Sequence, residues 1–166
     1  MTGIVTYLKQ SDIFYQLTQT QLELIANLCR EVAYSAGQVV FEENSSSKEL
    51  YVIAHGEVEI VVNPAMVSGR VFSSSNEKVV IATLKRGQSF GEVALVDEGL
   101  RSATARASVK DTHLLVIPRD KLILLCETYP QLGYRLMYNL AADLAMKMRN
   151  TDMKIREKAV NAPQPK

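Results

Sequence analysis

Between residues 39 and 117, short apolar runs rich in branched and aromatic side chains alternate with turn-forming residues, and that rhythm most constrains the fold. Val39 to Phe41, Leu50 to Ile53, Val58 to Val62, Val79 to Leu84 and Thr112 to Ile117 read as strands. Gly37, Asn44-Ser45-Ser46-Ser47 and Gly56 punctuate them. Many short strands separated by turn residues predict a small antiparallel β-barrel or jelly roll, mainly β with flanking α-helices. Asn63 to Lys78 is longer and more polar than a tight hairpin needs, and its part Ser73-Ser74-Ser75-Asn76 is expected to be a mobile loop near the ligand mouth.

The flanks change period. Residues 11 to 31 predict two short helices, the first capped by Ser11-Asp12. The second starts with a capping box of Thr18 and Gln21 ahead of Leu22, Leu24, Ile25 and Leu28. Pro118 to Cys126 predicts another helix with Pro118 in its first turn. Pro130 then opens a long helix to about residue 158, on which Leu132, Leu136, Leu140, Leu144 and Met148 recur every four positions. Met137, Ala141 and Ala145 lie alongside. These positions cover over half the circumference, whereas a helix on one surface needs only about a 100° stripe. Two contacts are therefore expected, the strands on one side and a partner helix on the other; burial within one domain is the alternative. The chain reads as one domain over 1–160, with helices and strands over 10–128, the long helix over 130–158, and a Pro-rich disordered tail at 161–166.

The 166 residues suffice for a real core, and 47% hydrophobic with 22% charged residues is ordinary globular composition. A net charge of +1 supplies no global attraction to nucleic acid or an acidic membrane. Cys29 and Cys126, each in a predicted helix among apolar neighbours, read as buried free thiols of a reducing compartment. With no transmembrane-length apolar run and no signal-peptide layout, a cytoplasmic protein without membrane contact is expected. His55 in a turn and His113 in a strand are far apart in sequence and have no ligand-spaced carboxylates or thiols, so no metal site is expected. Ser102 has no evident His partner, and neither the phosphate loop nor the dinucleotide fingerprint occurs, so the expectation is a protein that is not an enzyme.

Binding chemistry concentrates in Phe90-Gly91-Glu92-Val93-Ala94-Leu95 and Arg101-Ser102-Ala103-Thr104-Ala105. Gly91 lets backbone approach a ligand closely. Glu92 to Leu95 can make one helical turn whose free amides face an anion. Glu92 is acceptor-only when ionised and suits two sugar hydroxyls. Arg101 can fork onto two phosphate oxygens, with the Ser102 hydroxyl and N–H beside it. A carboxylate repels an anion, so the two charges must serve opposite ends of one ligand, as in a compact ribose phosphate.

The ordered set resembles the phosphate-binding cassette of the cyclic nucleotide-binding domain family, of the catabolite activator protein and protein kinase A regulatory subunit type. Ala36-Gly37-Gln38, His55-Gly56-Glu57 and Gly87-Gln88-Ser89-Phe90 fall where that family places turns; Asn44 stands where it usually has Gly, and Asn tolerates positive φ. The resemblance covers roughly residues 10 to 150. It implies a cAMP or cGMP ligand and no other cofactor, with Glu92 on the ribose 2′-hydroxyl and Arg101 and Ser102 on the cyclic phosphate. Gly91, Val93, Ala94 and Ala103 complete the expected site. The family's base-reading positions on the long helix correspond to Lys147 and Met148, where Met148 could cap the base, and Asn150 and Thr151 lie one turn on. The resemblance also implies a homodimer through this helix and signalling to an unidentified effector protein. No helix-turn-helix follows, so no direct DNA binding is expected; Lys147, Arg149, Lys154, Arg156 and Lys158 suit a solvated helix end that complements the macrodipole. Met1 and the polar tail read as natural ends. Two other readings remain: a degenerate fold acting as a nucleotide-independent scaffold, with Glu92 and Arg101 in a structural salt bridge, and a nucleic-acid regulator using the basic helix end.

Overall fold

The computed structural model describes residues 2–64, 66–67, 70–71, 78–97 and 99–160. The chain begins with helix α1 (Thr2–Lys9), a 3-10 turn (Asp12–Phe14) and α2 (Gln19–Ala26). Strands follow: β1 (Arg30–Tyr34), β2 (Val39–Phe41), β3 (Glu49–His55), β4 (Glu57–Val62), β5 (Met66–Val67), β6 (Arg70–Val71), β7 (Val79–Lys85) and β8 (Ser89–Phe90). The short α3 (Val93–Val96), β9 (Thr104–Ala107), β10 (Thr112–Pro118), α4 (Arg119–Thr128) and α5 (Pro130–Val160) complete it.

Two open four-stranded antiparallel sheets, ordered β1-β10-β3-β8 and β2-β9-β4-β7, face each other as a jelly roll; they do not close into one barrel. The apolar runs of β3 and β10 explain the layering, because both strands are buried on both faces. Leu50, Val52, Leu115 and Ile117 pack under the helices with Phe14, Ile25, Leu122, Leu132 and Leu136. The alternate residues Tyr51, Ile53, Leu114 and Val116 point the other way, into the inter-sheet core with Val58, Phe90 and Ala105. Asn139 ties α5 to the N-terminal segment, its amide donating to Ile13 O at 3.1 Å and Tyr15 O at 2.8 Å.

Several local expectations shift. The capping box of Thr18 and Gln21 is present on both sides, but α2 stops at Ala26, so Leu28 and Cys29 lie outside it. Residues 12–14 make only a 3-10 turn, Ser11 forms no side-chain cap, and the first true helix is α1. Pro118 ends β10 and caps α4 from outside rather than sitting in its first turn. The polar stretch after Asn63 carries the small ribbon β5–β6. Ser73 to Asn76 and residues 161–166 lie outside the described residues. Among the described residues, no helix is long and apolar enough to cross a membrane.

Candidate functional site

β8 delivers the cassette. Phe90 pairs with Tyr51 of β3 and stacks on its ring at 5.0 Å, and the chain then turns at Gly91 with φ 82°. A Cβ at Gly91 would sit 2.8 Å from Arg101 Nη1 and 2.9 Å from Glu49 O, so both the backbone angle and the space require glycine. Asn44, at φ 64°, holds the turn that steadies Arg101: Asn44 N donates to Arg101 O at 2.7 Å, and Arg101 N donates to Ser45 O at 2.9 Å.

The Arg101 side chain is 3% exposed and well supplied with partners. Nε donates to Ser47 Oγ (2.8 Å), Nη1 to Gly91 O (2.9 Å) and Nη2 to Glu49 O (2.7 Å). The guanidinium lies over the Phe41 ring at 4.2 Å and 5.8 Å from the Tyr51 ring centre. Burial lowers its pKa, opposed by the charges of Tyr51, Glu49 and Glu92. Arginine starts so high that it stays cationic. Burial, reinforced by Glu49, pushes the Tyr51 phenol up to about 12.

Glu92, 6% exposed, takes its cation from elsewhere. Lys147 of α5 donates to Glu92 Oε1 at 3.0 Å and to Ser89 O at 2.9 Å. Lys147 Nζ is also 2.7 Å from Asp143 Oδ2, but this contact is an ion pair without hydrogen-bond alignment. Arg101 in turn faces the Glu49 carboxylate at 4.0 Å. Glu92 and Arg101 therefore do not pair with each other, contrary to the structural salt bridge of the scaffold reading.

Both groups open onto one cavity of about 810 Å³, bounded by the cassette, β7 and α5. Gly91, Glu92, Val93, Arg101, Ser102 and Ala103 line it, and Ala94 belongs to the same helical turn. On α5 the wall is Lys147, Asn150, Thr151, Lys154 and Ile155, a single helical stripe. Of the expected base contacts, Asn150 and Thr151 are on this wall. Met148 is not: it is 68% exposed and outside the lining, because one residue after Lys147 on a helix points about 100° away. Sequence reasoning missed Phe41, Ile60, the length of β7, Lys154 and Ile155, and the support from Ser47 and Glu49. The spacing 147, 150, 151, 154, 155 was the available signal for the α5 wall.

The two histidines prove to be neighbours. His55 and His113 pair across β3 and β10 with ring centroids 6.3 Å apart, and His113 Nδ1 is 3.0 Å from Glu31 Oε1. Among the described residues, no group of three or more His, Cys, Asp or Glu gathers as a metal site.

Arg101 and Lys154 on one cavity with the buried Glu92 have the chemistry to suit an anion that also carries hydroxyls. The apolar wall of Phe41, Ile60, Ile81 and Leu84 suits a flat, weakly polar group. The arrangement has the character of a small-anion site in a ligand-binding domain. The family profile described as "Cyclic nucleotide-binding domain" matches residues 31–129, and the chain belongs to that family. It is 31% identical over 148 residues to the cyclic AMP receptor protein of Thermus thermophilus, covering 89% of this chain and 62% of that one. It is 32% identical over 103 residues to a cAMP-dependent protein kinase regulatory subunit of Schizosaccharomyces pombe, covering 62% and 22%. The crystal structure of Thermus thermophilus catabolite activator protein superposes with a TM-score of 0.72 at 28% identity, covering 90% of this chain and 63% of that one. The chain thus spans less than two thirds of the length of these relatives.

Proposed function

We propose that this domain binds a cyclic nucleotide, cAMP or cGMP, and passes occupancy through α5 to a partner, without catalysing a reaction. The observation that carries this reading is the placement of Glu92 and Arg101 on one cavity without pairing to each other, in a cassette of the family's order. The cyclic phosphate would take the Arg101 fork and the Ser102 hydroxyl, the ribose hydroxyls would take Glu92, and the base would lie between β7 and the wall of Asn150, Thr151 and Ile155. Similarity to a receptor and a kinase subunit named for cyclic AMP supports this ligand class.

The partner surface is the far side of α5. Leu132, Leu136 and Leu140 are buried against the domain, while Tyr134, Tyr138, Ala141, Ala145 and Met148 remain exposed. Their alternating spacing of four and three follows the seam of a coiled coil with Asp152 as its one charged position, and supports a homodimer through this helix. Isothermal titration of cAMP and cGMP into the nucleotide-free protein, with Arg101→Ala as control, tests the reading. Micromolar or tighter binding that the control loses is the expected result. No heat with either nucleotide would overturn it.

A further inference from the structure

Two of the three Lys147 donors are committed before any ligand arrives. An ammonium has three hydrogens and no acceptor. Hydrogen bonds to Ser89 O and Glu92 Oε1 use two of them, and the Asp143 carboxylate, 2.7 Å away without hydrogen-bond alignment, holds the ammonium by charge. Lys147 is therefore held on three sides by groups of the protein itself. Its effect passes through Glu92. A carboxylate this buried needs a compensating cation, and here the cation comes from α5 rather than from the cassette. One hydrogen bond on Oε1 still leaves most of the carboxylate's roughly four lone-pair sites for hydroxyl donors.

We propose that Lys147 is a positioning residue: it holds Glu92 ready to accept sugar hydroxyls and so makes hydroxyl recognition and docking of α5 depend on each other. The inference deepens the cyclic nucleotide reading and rests on it for the identity of the ligand. A hydroxyl donor on Glu92 and the ammonium on Glu92 restrain the same carboxylate. Ordering by either lowers the cost of the other, and the coupling is reciprocal. Lys147 also lies between Ala145 and Met148 of the uncovered seam, so the turn that senses Glu92 is the turn that presents the partner surface. Asp143, one turn earlier, sets the ammonium's approach; Lys154, two turns later, donates to Ile81 O at 3.2 Å and extends the strap across the cavity.

The test compares cAMP and cGMP with their 2′-deoxy forms, titrated into the full chain as wild type, Lys147→Met and Lys147→Arg. A hydrogen bond to a charged group predicts a wild-type preference for the ribose form of roughly tenfold or more. Lys147→Met is expected to lose most of that preference by weakening the ribose form while leaving the deoxy form nearly unchanged, and Lys147→Arg to recover part of it. Equal weakening of both forms, the mark of a merely structural role, overturns the proposal. A Glu92→Gln background should abolish the effect of Lys147→Met on the preference; persistence of the effect also overturns it. Failure of the nucleotide reading is recognised separately, as no wild-type binding of either nucleotide. In that event, backbone hydrogen exchange over residues 143–154 of the ligand-free chain decides the helix tie: faster exchange in Lys147→Met supports it, and unchanged protection overturns it.

Discussion

Truncating Arg101 should damage both the fold and the site, in amounts that the local geometry sets. Arg101→Ala removes hydrogen bonds to Ser47 Oγ, Gly91 O and Glu49 O and a guanidinium stacked 4.2 Å over Phe41. Each bond from a charged donor contributes about 1.5–3 kcal/mol and the ring contact about 1 kcal/mol. Removal also relieves the burial of a charge, and the open cavity lets water reach the two stranded carbonyls, which together offset more than half of that sum. A net loss of about 2–4 kcal/mol remains, which for a chain of this size lowers Tm by about 4–16 °C. Nucleotide binding loses the charge-assisted phosphate fork as well, roughly thirty- to a thousandfold in Kd. Thermal unfolding followed by circular dichroism without ligand, and calorimetric titration with ligand, separate the two losses. Arg101→Lys keeps the charge without the planar fork and should fall between wild type and Ala in both assays. A ligand-free Tm within about 2 °C of wild type would refute the claim that Arg101 braces the Gly91 and Glu49 carbonyls.

Asn44 carries φ 64° beside the Arg101 backbone, so Asn44→Ala should destabilise by about 1–2 kcal/mol while Asn44→Gly is near neutral; equal urea midpoints for the two variants would refute this. Burial pushes the Cys29 thiol up to about 12, and Tyr51 is raised to a similar value. The unfolded chain therefore releases these protons first, so their contribution to stability is complete below pH about 9 and is lost progressively toward pH about 12. Urea midpoints that do not fall above pH about 10 would contradict that burial. Ala145→Glu, on the uncovered face of α5, should convert the expected dimer to monomer in sedimentation without altering the circular dichroism spectrum; an unchanged dimer mass would remove the seam argument.

Signals confined to a few consecutive residues were legible in the sequence. Thr18 and Gln21 announce the start of α2 because a capping box closes within one helical turn. Asn44 keeps its turn because positive φ is decided by the residue itself. Phe90-Gly91-Glu92 and Arg101 reach a common cavity because the chain between them is short. What escaped depended on partners far along the chain or on helical phase. Arg30 to Tyr34 lacks a buried run because it is an edge strand, and it becomes β1 only by pairing with β10. The choice between one barrel and two open sheets rests on pairings between distant strands, which no local period encodes. His55 and His113 meet only through the register of β3 with β10.

The site divides the same way. The sequence by itself determined the residue types an anion with hydroxyls requires, their order, and a long helix with more apolar surface than one contact can cover. Tertiary structure decided that Lys147 rather than Met148 faces Glu92, that Arg101 is braced by Ser47 and the Glu49 carbonyl, and that β7 forms the far wall. The physical reason is that chemistry resides in side chains, whereas direction is set by how a helix or strand is rotated against its neighbours. On α5, a rotation of about 100° separates a lysine that holds the Glu92 carboxylate from a methionine that faces solvent.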